Sequence, residues 1–148
     1  VNMTRDDELF VSKWIRAKRE AVFAAFTEPE TLRKWFCPRD LRVISAEADV
    51  RVGGAFRIRM SKGNETHTVH GNYREVVPGQ RLVFSHQWQE LDAAMTRVTV
   101  EFADRDGGTL VSITQEGFQT RQSSQSHEAG WRSTLENLFE AMATGAAR

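Results

Sequence analysis

Trp131, Thr134, Leu135, Leu138, Phe139 and Met142 recur at i, i+3, i+4, i+7, i+8 and i+11, one apolar stripe on a long helix toward the end of this 148-residue chain. Such a stripe must be buried against something. What precedes it reads as strands and tight turns, apart from one short helical stretch, so the stripe predicts a helix lying across a sheet. A single long helix on a curved sheet leaves a hollow, because the two surfaces curve differently. That hollow is where the sequence points for function.

Phe10 to Ala17 carries Val11 and Ile15 among polar residues and predicts a first strand. In REAVFAAFTEPETLRKWF, Val22, Phe23 and Phe26 recur at helical spacing. Pro29 closes that short helix and opens a second, carrying Leu32, Trp35 and Phe36, until Pro38 breaks the pattern. From Leu41 to Phe118 the period is two. Val43 and Ser45 are expected on one face, opposite Arg42 and Ile44, and Phe56, Ile58 and Met60 alternate with Arg57 and Arg59. Thr66 to Val77 puts Val69, Gly71 and Tyr73 on one face. Leu82, Phe84, His86 and Trp88 share the next, followed by Val98, Val100 and Phe102, then Val111 and Ile113. Gly53-Gly54, Lys62-Gly63-Asn64, Pro78-Gly79 and Asp106-Gly107-Gly108 read as turns, and Glu90 to Ala94 as a variable connection. The last helix is expected to start near Ser123 to Ser126, whose hydroxyls suit an N-cap, and to run to about Ala143 before Gly145 stops it. The order is strand, two short helices, about six strands, long helix: an α+β chain, taken as a single domain over 1–148.

Twenty Lys and Arg balance twenty Asp and Glu, so no global field draws nucleic acid or an acidic membrane. The lone Cys37 leaves no internal disulfide. The opening VNMTRDDELFVSKW has no basic-then-apolar leader pattern, and no apolar run reaches the roughly 18 to 20 residues that span a bilayer. The expectation is a soluble, cytoplasmic protein, monomer or homodimer. Val1 and Asn2 are given no role.

Arg16-Ala17 before EAVF, the EPETLRKWF run with Pro38, DVRVGG with Phe56, GNYREVVPGQRLVFS and GWRSTLENL appear in an order that resembles the helix-grip fold of the START-like (SRPBCC) superfamily. Within it, the chain is similar to the branch named after the activator of the 90 kDa heat shock protein ATPase. The motifs span nearly the whole chain, with Trp35-Phe36 where the branch commonly carries a double tryptophan. The resemblance implies a curved antiparallel sheet of about six to seven strands wrapped around the long C-terminal helix. It also implies a cleft between them for lipids, hormones, polyketides or other apolar molecules; a few relatives are cyclases or hydrolases.

The expected cleft lining is Trp35, Phe36, Phe56, Ile58, Met60, Tyr73, Phe84, His86, Trp88, Val100, Ile113, His127, Trp131 and Leu135. These are mainly apolar and aromatic, with indole N–H groups and imidazoles as polar handles, as small-molecule sites require. The plainer reading is that the same side chains fill a core. His86 and His127 are the only candidates for proton chemistry, and no catalytic residue is assigned. HTVH, His67 to His70, does not chelate, because i and i+3 on a strand face opposite ways; no metal or cofactor is expected. Cys37 reads as a small buried residue, with a thiol activated by Arg33, Lys34 and Arg39 as the sharper alternative. The glycine pairs lie outside GxxxxGK and GxGxxG and serve hairpins. Arg51, Arg57 and Arg59 are expected to pair across strands with Glu47, Glu75 or Glu101, or to offer a docking row for an acidic partner.

The leading functional expectation is non-catalytic binding of a small hydrophobic or aromatic molecule between sheet and C-terminal helix. A chaperone-associated, stress-response interaction module is the alternative, and a cyclase or hydrolase using the cleft histidines the third.

Overall fold

The computed structural model describes residues 7–90 and 94–144. Residues assigned no role at the N-terminus, the middle of the 90–94 connection, and Gly145 as a helix stop lie outside the described residues. The elements are β1 (Glu8–Ile15), α1 (Arg19–Thr27), α2 (Pro29–Trp35), β2 (Arg42–Ala48), β3 (Ala55–Lys62), β4 (Glu65–Val77), β5 (Arg81–Trp88), β6 (Thr96–Arg105), β7 (Gly108–Glu116) and α3 (Arg121–Thr144). The strands form one antiparallel seven-stranded sheet in the order β1-β7-β6-β5-β4-β3-β2. This is the expected α+β helix-grip arrangement, with α3 in the grip.

Burial follows the period-two pattern. Phe56, Ile58 and Met60 on β3, Val69 and Tyr73 on β4, Leu82, Phe84 and His86 on β5, Val98, Val100 and Phe102 on β6, and Val111 and Ile113 on β7 all lie buried. Against them α3 lays Trp131, Thr134, Leu135, Leu138, Ala141 and Met142. Phe139, at the flank of the stripe, is only partly buried, and the Lys13 ammonium lies 5.0 Å from its ring centre. Lys13 also pairs with Glu136, which ties β1 to α3.

Three local expectations are corrected. The first strand is Glu8–Ile15, not Phe10 to Ala17, because pairing with β7 runs from Glu8 opposite Glu116 to Ile15 opposite Thr109. On β2 the alternation breaks at Ile44. The register jumps between Val43 and Ser45, so Ala46 and Ala48 face Ile58 and Phe56 across the ladder. A bulge adds one residue and flips every later side chain, so the inward set is Val43, Ala46 and Ala48 rather than Val43 and Ser45. Finally, α3 begins before the serines: Thr120 Oγ1 accepts the Ser123 backbone N–H at 3.0 Å, and Thr120 is the capping hydroxyl.

The two short helices plug one end of the grip. Trp35 is fully buried and its Nε1–H donates to the Ala25 carbonyl (3.0 Å), locking α2 onto α1. Edge-to-face ring contacts run from Phe102 to Phe26 (5.3 Å), Trp35 (4.8 Å from Phe26), Phe36 (5.2 Å) and Trp131 (5.6 Å). Gly71 lets β4 and β5 approach: a Cβ there would overlap the Ser85 carbonyl oxygen.

Candidate functional site

The α2–β2 loop is held to α3 by three contacts. Asn137 Nδ2–H donates to the Cys37 carbonyl (2.7 Å), Arg39 N–H to Ser133 Oγ (2.7 Å), and the Arg39 guanidinium pairs with Glu140. Fixed there, the loop walls off a cavity of about 390 Å³. Phe36, Cys37, Pro38 and Leu41 form the loop side, and Met60, His67 and Val69 the side from β3 and β4. His86 and Trp88 of β5 form the floor; His127, Gly130, Trp131 and Thr134 of α3 form the roof. The exposed Asp40, Lys62 and Glu65 stand at the mouth, where Lys62 Nζ pairs with Asp40 at 3.2 Å.

The hollow therefore occupies one end of the grip rather than the whole underside of α3. Of the expected lining, Phe36, Met60, His86, Trp88, His127 and Trp131 meet around it. Eight others do not reach it. Trp35 is consumed in the α1–α2 contact, Phe56, Tyr73 and Phe84 pack on one another with centroids 5.1 to 6.1 Å apart, and Ile58, Val100, Ile113 and Leu135 are at most 2% exposed in the core. Burial raises the Tyr73 hydroxyl to about 12, with Asp49 adding to the shift, which keeps it protonated. Strand parity identified the inner face correctly, but packing by α1 and α2 filled most of it.

One buried polar chain beneath the cavity was not anticipated. Trp131 Nε1 is only a donor, and it donates to Gln115 Oε1 at 2.7 Å. That assigns the Gln115 amide: its Nε2 faces Thr96 Oγ1 at 2.8 Å and His86 Nδ1 at 3.3 Å. Thr96 Oγ1 in turn donates to the His86 carbonyl (3.0 Å). His86 Nδ1 must then accept, so the neutral ring carries its proton on Nε2. Burial is the main reason its pKa falls from 6.5 to about 3, with His127 adding like-charge repulsion. The signal for this chain was present in the sequence: Gln115 shares the inward parity of Val111 and Ile113, and a buried amide demands partners.

The second imidazole is fixed by the same logic. Trp88 Nε1–H donates to His127 Nε2 (3.0 Å), so His127 Nδ1 carries the proton and donates to the Ser123 carbonyl (2.8 Å). Burial lowers its pKa, while the Ser123 carbonyl partly offsets that. The rings of His86, Trp88 and His127 also separate the main cavity from a smaller one of about 200 Å³ beside Phe118 and Thr120.

Other candidates resolve plainly. His67, expected only not to chelate a metal with His70, lines the cavity on the inward parity of Val69 and Tyr73, while His70 does not. Among the described residues no group of three or more His, Cys, Asp or Glu is placed to hold a metal ion. Cys37 is buried with its thiol donating to the Leu41 carbonyl (3.3 Å), and burial, with Asp40 nearby, raises its pKa. The activated-thiol alternative is thus opposed by its surroundings. Arg57 donates to Gln89 and Arg51 pairs with Asp49, whereas Glu75 and Glu101 both pair with Arg81, not with the basic row. Among the described residues no helix is long and apolar enough to cross a membrane.

A family profile described as Activator of Hsp90 ATPase homolog 1-like protein matches residues 16–143. Protein CV1439 from Chromobacterium violaceum has a crystal structure 26% identical to this chain, with a TM-score of 0.86, covering 93% of this chain and 98% of its own. The AHSA1 protein from Silicibacter pomeroyi is 24% identical, with a TM-score of 0.82 over 93% of this chain and 99% of that one. Protein NE0264 from Nitrosomonas europaea, 22% identical, superposes with a TM-score of 0.82 over 98% and 99%. No curated protein matches.

Proposed function

This chain belongs to the Activator of Hsp90 ATPase homolog 1-like family, and from that premise we propose that it binds a small hydrophobic or aromatic molecule, without chemistry, in the cavity under α3. The observation that carries this reading is an open-mouthed cavity of about 390 Å³ beneath α3 with a mainly apolar wall, to which Phe36, Leu41, Met60, Val69, Trp88 and Trp131 contribute. Its size falls in the range of small-molecule sites. Burial of apolar ligand surface, at about 25 cal/mol per Å², supplies the affinity. Both deep imidazoles have their lone pairs occupied, His127 by Trp88 and His86 by Gln115. Neither is free to take a proton from a ligand, which favours binding over the cyclase or hydrolase alternative.

The test uses a neutral naphthylamine dye whose fluorescence rises in apolar surroundings. Gly130 lies on the cavity roof, so Gly130→Leu drives a side chain into the space. Wild type should bind the dye saturably and the folded variant should lose most of that binding; equal binding by both would place the dye elsewhere and end the proposal.

A second reading is favoured by the family description: docking to a chaperone or other protein through the exposed outer row of Arg57 and Arg59 on β3. Recovery of the 90 kDa chaperone homologue, abolished by Arg57→Glu with Arg59→Glu, supports it; retention by the doubly reversed variant removes it.

A further inference from the structure

The cavity wall is chemically sparse, and its hydrogen-bonding groups are nearly all spoken for. Trp131 Nε1–H is held by Gln115, Trp88 Nε1–H by His127, the Thr134 hydroxyl by the Gly130 carbonyl (2.8 Å) and the Cys37 thiol by the Leu41 carbonyl. Apart from the half-buried His67 ring and the exposed Ser126 hydroxyl, one buried donor is left over. The bond chain from Trp131 through Gln115 leaves the His86 proton on Nε2, and Nε2 has no partner among the described residues. Every fully enclosed side-chain nitrogen or oxygen among those residues does have a partner, so Nε2 must touch open space. His86 as a whole is only 5% exposed, and it lines both the main cavity and the smaller one beside it. A buried, orphaned N–H on a cavity wall is a ready-made reader of an acceptor atom.

Charge and size narrow the occupant. The deep wall holds no cation. The one lysine, at the mouth, is paired with Asp40 and stands with Glu65, so a buried carboxylate would lose its water and meet only a neutral imidazole. A dry cavity of about 150 Å³ takes one benzene, and about 390 Å³ is roughly 2.6 times that, space for two to three rings.

We infer that the site selects an uncharged aromatic molecule of two to three rings bearing a carbonyl-type acceptor, with that acceptor bonded to His86 Nε2–H and the rings against Phe36, Trp88 and Trp131. This rests on the binding reading above and adds the chemistry that the site discriminates.

The experiment competes three probes of one shape against the naphthylamine dye: acetylnaphthalene, ethylnaphthalene and naphthoate. Acetylnaphthalene should bind about tenfold tighter than ethylnaphthalene, the difference between satisfying and stranding one buried donor, and naphthoate should bind weakest. In wild-type protein the carbonyl stretch of bound acetylnaphthalene should move to lower wavenumber than in hydrocarbon solvent, a measurement that needs no variant. His86→Phe should erase the ketone's advantage over ethylnaphthalene, and His86→Gln, which retains a side-chain N–H, should restore it. Equal binding of ketone and hydrocarbon, an unshifted carbonyl band, or tightest binding of naphthoate overturns the inference and leaves the binding reading standing. Failure of all three probes to displace the dye, or binding indifferent to Gly130→Leu, sinks the cavity reading itself.

Discussion

Lowering the pH from 7 to 5 should weaken this fold, and His86 supplies most of the effect. In the folded protein its neutral ring is held by Gln115 from β7, with Trp88, Trp131 and His127 around it, and its pKa lies near 3; unfolded, the imidazole returns to about 6.5. A depressed folded pKa means that the unfolded chain binds the extra proton. The stabilisation is complete above about 6.5 and is lost as the pH falls toward 3. The slope approaches 1.36 kcal/mol per pH unit, so going from pH 7 to 5 removes about 2 kcal/mol through His86 alone. Against a typical total of roughly 5 to 15 kcal/mol that is easily measured. His127, also depressed, adds in the same direction. The carboxyls of Glu90 and Glu136 lie below their ordinary 4.5, so they act only at more acidic pH. Urea unfolding followed by tryptophan fluorescence at both pH values measures the loss, and His86→Gln should reduce it by about 2 kcal/mol. If wild type and variant show the same pH dependence, the buried neutral imidazole is not what the fold contains.

The roof and the polar chain make further predictions. Gly130 sits in mid-helix, where an added Cβ meets only Pro38 Cγ at 3.9 Å, so Gly130→Ala should stabilise by about 0.5 to 1 kcal/mol in thermal unfolding, and a loss would refute that reading. Trp131→Ala should cost about 3 to 5 kcal/mol through the cavity it leaves. Trp131→Phe keeps most of the ring but strands Gln115 Oε1, at about 1 to 3 kcal/mol; a neutral Trp131→Phe would deny the buried chain any structural weight. In NMR titrations His127 should show a higher pKa in Trp88→Phe than in wild type, because the indole N–H no longer occupies its Nε2. Identical titrations would contradict the tautomer assigned here.

What the amino-acid order determined by itself is whatever local periodicity and turn chemistry encode: the stripe on α3, the inward sets on β3 to β7, the proline boundary between α1 and α2, and the sequence motifs of the family. Periodicity names a face, though not what lies over it. Trp35 and Trp131 look equivalent as pattern, yet one is sealed between α1 and α2 and the other roofs a hollow. The bulge at Ile44 could not be read because one extra residue is decided by cross-strand register, not by composition. His67 and Gln115 were legible as inward-facing but not as wall and as switchboard, since their roles depend on residues far away in the chain. Tertiary structure alone decided where the hollow lies and which N–H is left unbonded in it, because hydrogen-bond accounting closes only when β5, β6, β7 and α3 are brought together.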